Sequence, residues 1–323
     1  RARSGYLRKI IAGLCKSGED TIATDTDMKK RKTDRKPAAK KPKRQRRGKY
    51  ALALSGGAAL GSYQAGAIRA FYDAGLDIRH VAGSSIGALN GYLTATGEID
   101  EMLTFWRAID QKKLITINSF TRLFFSGTPS LLTDGLQRSL VEQHVRLDKL
   151  RAAKREYLCA AISLNTGKLH CFSAAHARTD KDLQDFVLAS AAVPGVFPPV
   201  QIGDELYMDG GLVRNTPVEL LEQKKVDAII AISMEPEAYP PEPLRNTGQI
   251  ALRTLSIFFR NQANDAVSRS LVSRKRKAKQ VLMLRPHYPL EMQQYEFDPK
   301  KIAALIEQGY TEAKAFIKRH KLH

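Results

Sequence analysis

From residue 50 onward the short apolar run 50–54 and the stretch 226–233 read as buried strands, and 78–82 and 280–284 as two further strands, each closed by turn-forming residues. Between them the apolar spacing changes to a helical period. Residues 60–74 place Tyr63, Ala67, Ala70, Phe71 and Ala74 on one face and stop at Gly75. Further helices are predicted over 182–192, over 251–277 as one long element, after Asn215-Thr216-Pro217, and from about residue 300. Residues 156–164 and 168–173, joined by Asn165-Thr166-Gly167, read as a β-hairpin, and 205–208 as a strand running into Asp209-Gly210-Gly211. The prolines of Val193-Pro194-Gly195-Val196-Phe197-Pro198-Pro199 force a stiff, extended loop. The strand, helix, strand, helix succession that begins at Tyr50 builds a parallel sheet, so the fold class is α/β.

Two turns in that succession carry candidate chemistry. The second strand feeds Gly83-Ser84-Ser85-Ile86-Gly87, and a strand that turns at once into a helix lifts the central serine out of the sheet. Ser85 is the candidate nucleophile, at a helix N-terminus that favours the negative charge of acyl transfer. This spacing arises by accident in roughly one chain in ten of such length, so its surroundings decide. The first strand ends in Ser55-Gly56-Gly57-Ala58-Ala59-Leu60-Gly61, a turn whose backbone N–H groups converge at the same sheet edge. It lacks the spacing of a dinucleotide-binding turn. A serine needs a base, and histidine is the usual one. His287 follows Asp209 in the order Ser, Asp, His, but an α/β-hydrolase places several strands before its nucleophile, and Ser85 comes too early.

Four motifs in order resemble the patatin-like phospholipases: the glycine-rich loop 55–61, the serine turn 83–87, the stretch Ala191-Ala192-Val193-Pro194-Gly195-Val196-Phe197-Pro198-Pro199, and Asp209-Gly210-Gly211. The resemblance covers roughly residues 50–233. It implies a three-layer α/β/α sandwich around a mainly parallel sheet, and hydrolysis of acyl esters in lipids by a Ser85–Asp209 dyad without histidine. The amides around Gly56, Gly57 and Ala58 would form the oxyanion hole, and no metal or cofactor is implied. A carboxylate of ordinary pKa is a weak base for an alcohol, so such a dyad requires a buried Asp209. Two positions depart from the family pattern. Ala58 stands for a third glycine, and Leu60 for a cation whose loss removes one source of anion stabilisation.

The formal charge of +19 is unevenly placed, because residues 1–50 hold 18 Lys or Arg against 5 Asp or Glu. Residues 1–49 are therefore set apart as a basic tail without the apolar content to order itself, and 50–323 as the catalytic domain, with a core at 50–233 and a C-terminal helical extension. The tail would attract an anionic membrane surface or nucleic acid, or merely keep the protein soluble. No specific nucleic-acid motif accompanies it, and oligomeric state is left open. No apolar run is long enough to span a bilayer and the first residues lack a signal-peptide pattern, which places the protein in the cytoplasm or peripherally at a membrane. Cys15, Cys159 and Cys171 match no zinc spacing and read as free thiols, with a 159–171 pair left open. The apolar cluster 114–125 is either core or a lipid-facing lid. Hydrolysis of a soluble ester or thioester, or a catalytically idle polyanion-binding protein, are the competing functions.

Overall fold

The computed structural model describes residues 48–109, 135–241, 243–294 and 296–323. Eight strands form one sheet: β1 (Lys49–Leu54), β2 (Asp77–Gly83), β3 (Glu156–Ser163), β4 (Leu169–Ser173), β5 (Val200–Ile202), β6 (Glu205–Asp209), β7 (Ala228–Ile232) and β8 (Gln280–Leu284). Their order is β5-β6-β3-β2-β1-β7-β8, with β4 paired to β3. The five strands from β3 to β8 in that order run parallel, while β4, β5 and β6 pair antiparallel.

The central strand shows why its sequence is unbroken apolar. Tyr50, Leu52 and Leu54 enter the larger core on one face, and Ala51 and Ala53 the smaller core on the other. Helices α1 (Gly61–Asp73), α2 (Ile86–Thr96), α3 (Ile99–Ala108), α6 (Asp180–Ser190) and α9 (Pro299–His320) supply the larger core. The short helices α4 (Gly135–His144) and α5 (Leu147–Ala152) lie between α3 and β3 in the chain. A single turn, α7 (Gly211–Arg214), follows β6, and α8 (Thr247–Val272) packs Ala266 into the smaller core. Helices on both faces of the sheet make this an α/β fold of three layers.

The terminal helix is joined to the rest by close backbone approach. A Cβ on Gly66 of α1 would lie 1.9 Å from the Ile306 carbonyl oxygen, and one on Gly309 of α9 would lie 1.9 Å from that of Tyr63. Only glycine at both positions lets these helices meet so closely. Tyr63 Oη donates to Glu312 at 2.7 Å and Tyr310 Oη to Asp73 at 3.1 Å along the same seam.

After Asn215-Thr216-Pro217 there is no full helix but a 3-10 turn over Val218–Leu221, whose buried Val218 and Leu221 fill the smaller core. Turns at Glu222 and Lys224 then lead to β7 at Ala228. Cys159 and Cys171 are both free. They stand on adjacent strands but out of register, Cys159 opposite Phe172 and Cys171 opposite Ala160, and so point to opposite faces. The tail before residue 48 and the cluster 114–125 lie outside the described residues. Among the described residues no helix is long and apolar enough to cross a membrane.

Candidate active site

Ser85 stands between β2 and α2 with φ 55, in the left-handed region that favours glycine. Holding an L-residue there costs on the order of 1–2 kcal/mol. The flanking glycines make the turn possible. A Cβ on Gly83 would sit 2.0 Å from the Gly87 carbonyl oxygen, and one on Gly87 would sit 2.4 Å from that of Leu54. Strand, turn and helix therefore touch backbone to backbone, and Ser85 is only 7% exposed.

The acid arrives from the opposite direction. β4 occupies one edge of β3 along Leu158–Ile162, so β2 and β6 share the other edge. β2 runs with β3 and places Gly83 opposite Cys159; β6 runs against it and places Asp209 opposite Ala161. The C-terminal ends of the two strands thus converge. The end of α6 joins them, since the Ser85 N–H donates to the Ser190 carbonyl at 2.9 Å and the Asp209 N–H to the Ala192 carbonyl at 3.0 Å. This gives the C-terminal end of α6, Ser190 to Ala192, a physical role, as the peg between the serine turn and the end of β6. Gly210 is required because its Cβ would lie 2.4 Å from the Ala160 carbonyl oxygen.

Asp209 is 5% exposed, and burial pushes its carboxyl up to about 6. The Ser85 hydroxyl beside it and the Gly211 N–H, which donates at 2.7 Å, hold the value from rising further. A carboxyl so placed is a stronger base than a solvated one and is still ionised at neutral pH. His287 stands elsewhere, exposed and 3.1 Å from Glu237.

The glycine-rich loop follows β1 and passes through a 3-10 turn, Ala58–Leu60, into α1. Of its three expected oxyanion donors, Gly56 is engaged: its N–H is taken by Asn215, through Oδ1 at 3.0 Å and the carbonyl at 3.2 Å. The N–H groups of Gly57 and Ala58 make no hydrogen bond among the described residues. Ala58 has φ 47, so the position where the family carries glycine does demand a left-handed residue. Leu60 is buried and lines a cleft of about 340 Å³ with Met234, Leu290 and Met292.

A buried polar network ties this loop to the serine helix. Asn90 Nδ2 donates to the Gly61 carbonyl and to Gln64 Oε1, both at 3.0 Å, and Trp106 Nε1 donates to Asn90 Oδ1 at 3.0 Å. Sequence reasoning missed Asn90, Gln64, Asn215 and Ser190. Asn90 left one trace, a polar residue within an otherwise apolar helix. Among the described residues no group of three or more His, Cys, Asp or Glu could hold a metal ion.

Comparison with known proteins identifies a family. The patatin-like phospholipase family model matches residues 52–222. An uncharacterised NTE family protein of Mycobacterium tuberculosis is 28% identical over 203 residues, 61% of this chain and 52% of its own length. The chain thus spans about half of that relative. Patatin-like phospholipase domain-containing protein 7 of Rattus norvegicus is 28% identical over 57% of this chain and 13% of its own. Among solved structures, VipD from Legionella pneumophila aligns with 85% of this chain and 67% of its own, at 14% identity and a TM-score of 0.48. The family match alone takes in more than half of the sequence, including all of the glycine-rich loop, the serine elbow, the proline stretch and the acid: the chain belongs to the patatin-like phospholipase family.

Proposed function

We propose that the chain is a lipid acyl hydrolase that cleaves carboxylic esters of phospholipids or related lipids through Ser85 and Asp209. The observation that carries this reading is a serine in a strained elbow beside a buried carboxyl whose pKa is pushed up to about 6. Ser85 Oγ attacks the ester carbonyl while Asp209 takes its proton. The oxyanion is met by the N–H groups of Gly57 and Ala58, Gly56 being held by Asn215. The alcohol leaves with the proton from Asp209, and water attacks the acyl-serine with Asp209 again as the base. Family membership supports the lipid ester as substrate.

Ser85→Ala and Asp209→Asn are each expected to lower ester turnover by at least about 10³-fold while the protein stays folded. Release of fatty acid from mixed lipid extracts, with the Ser85→Ala protein as control, measures this. A Ser85 that a fluorophosphonate fails to label would point instead to the idle polyanion-binding reading, which the loss of the loop cation at Leu60 favours. Turnover of short-chain soluble esters without turnover of liposomes would favour the soluble-substrate reading.

A further inference from the structure

The first half of α8 turns a polar stripe inward and leaves large apolar side chains outside. Arg253, Ser256 and Arg260, at i, i+3 and i+7, turn toward the protein, whereas Ile250, Ile257 and Phe258, at i, i+7 and i+8, turn away from it. Ile250 is 50% exposed, Phe258 48% and Ile257 37%. The inward stripe is fixed by polar contacts. Ser256 Oγ bonds the buried Glu235 carboxylate and lies 2.6 Å from Tyr239 Oη, and the Tyr239 ring is flanked by the guanidinium groups of Arg253 at 4.3 Å and Arg260 at 4.7 Å. The helix cannot roll to hide its apolar side without breaking this cluster. Its rotation is also pinned at the candidate site, where Gln262 donates to the Leu212 carbonyl at 3.0 Å and accepts from the Asn215 N–H at 3.1 Å.

We propose that this outward face is a membrane-docking surface that lays α8 along an anionic lipid bilayer on the side of the glycine-rich loop. Charge complementarity selects that occupant. Residues 245–279 hold nine Lys or Arg and one acid, Asp265, and Arg245, Arg269, Arg274, Lys275 and Lys277 are exposed. An apolar stripe rimmed by cations fits acyl chains under anionic headgroups, and repels a second copy of itself. The chain's own first 47 residues, strongly cationic and poor in large apolar side chains, would be repelled too. The placement suits the task, since Arg253, Leu255 and Ser256 of α8 line the same cleft as Leu60 of the glycine-rich loop. The choice of a bilayer rests on the proposed lipid hydrolase activity.

The test uses the full chain carrying Ile250→Asp and Phe258→Asp, sedimented with vesicles of phosphatidylcholine and a minority of phosphatidylserine at high salt. Both side chains are half exposed, so melting should be unchanged. Partitioning is expected to fall roughly tenfold or more, and hydrolysis of vesicle lipid with it, while turnover of a short-chain soluble ester stays the same. Partitioning within about twofold of the unaltered chain overturns the proposal, as does a variant that converts a self-associated protein into a monomer without changing vesicle binding. If the variant loses vesicle binding but the unaltered chain cleaves neither lipid nor ester, the docking surface stands and the hydrolase reading falls.

Discussion

Burial of Asp209 acts on chemistry and stability in opposite directions. Its carboxyl is pushed from 3.8 to about 6 in the folded protein, so between those values the unfolded chain gives up its proton first. Stability therefore falls as pH rises through that window and stays lower by about 3 kcal/mol above it. Asp209→Asn is expected to melt at or above the unaltered protein at about pH 8 and level with it at about pH 4, which calorimetry at the two pH values measures. Ester turnover that uses the carboxylate as base should lose its acid limb near pH 6, not near 4, in a pH–rate profile. Ala58 offers a second test. Replacing it by glycine removes the left-handed penalty at φ 47 and should stabilise the fold by about 0.5–1 kcal/mol in denaturant titration. The turns that carry Ser85 and Asp209 were legible in the sequence through Gly83, Gly87 and Gly210, which backbone closeness demands, whereas the role expected of Asp209 came only from the family resemblance. The capture of Gly56 by Asn215 was not legible, since it joins residues 159 positions apart and no local pattern encodes it.

At the scale of elements, the strands buried on both faces and the amphipathic helices were readable, because period alone distinguishes them. What period could not supply was which elements touch. The α1–α9 contact depends on Gly66 and Gly309 lying against each other's backbone, and from sequence each is just a glycine inside a helix. Gly309→Ala is expected to cost at least about 1–3 kcal/mol, seen as a lower melting temperature, and to leave soluble-ester turnover of the remaining folded protein intact. The Asn90–Gln64–Trp106 network was likewise hidden. It spans α2, α1 and α3, and Asn90→Ala would leave the indole N–H and the Gln64 carbonyl oxygen buried without partners. A loss of about 1–3 kcal/mol follows, together with reduced turnover as the glycine-rich loop slackens.

For the whole molecule, charge and apolar surface divide the proposed membrane contact between two mechanisms. The first 50 residues carry most of the +19 and act over a Debye length, whereas the α8 stripe acts only on contact. Vesicle binding should accordingly show a component that fades as salt is raised, and a residue that persists and disappears with Ile250→Asp and Phe258→Asp. Sedimentation across a salt series resolves the two. The shared edge of β3 has a consequence for synthesis. A chain still emerging from the ribosome displays the serine long before the polymer has doubled back to deliver its carboxylate, and on the proposed mechanism it stays inert until then. Stalled nascent chains should take up an ester-mimicking probe only after residue 209 has left the exit tunnel, which would keep a lipid-dissolving activity silent during its own birth.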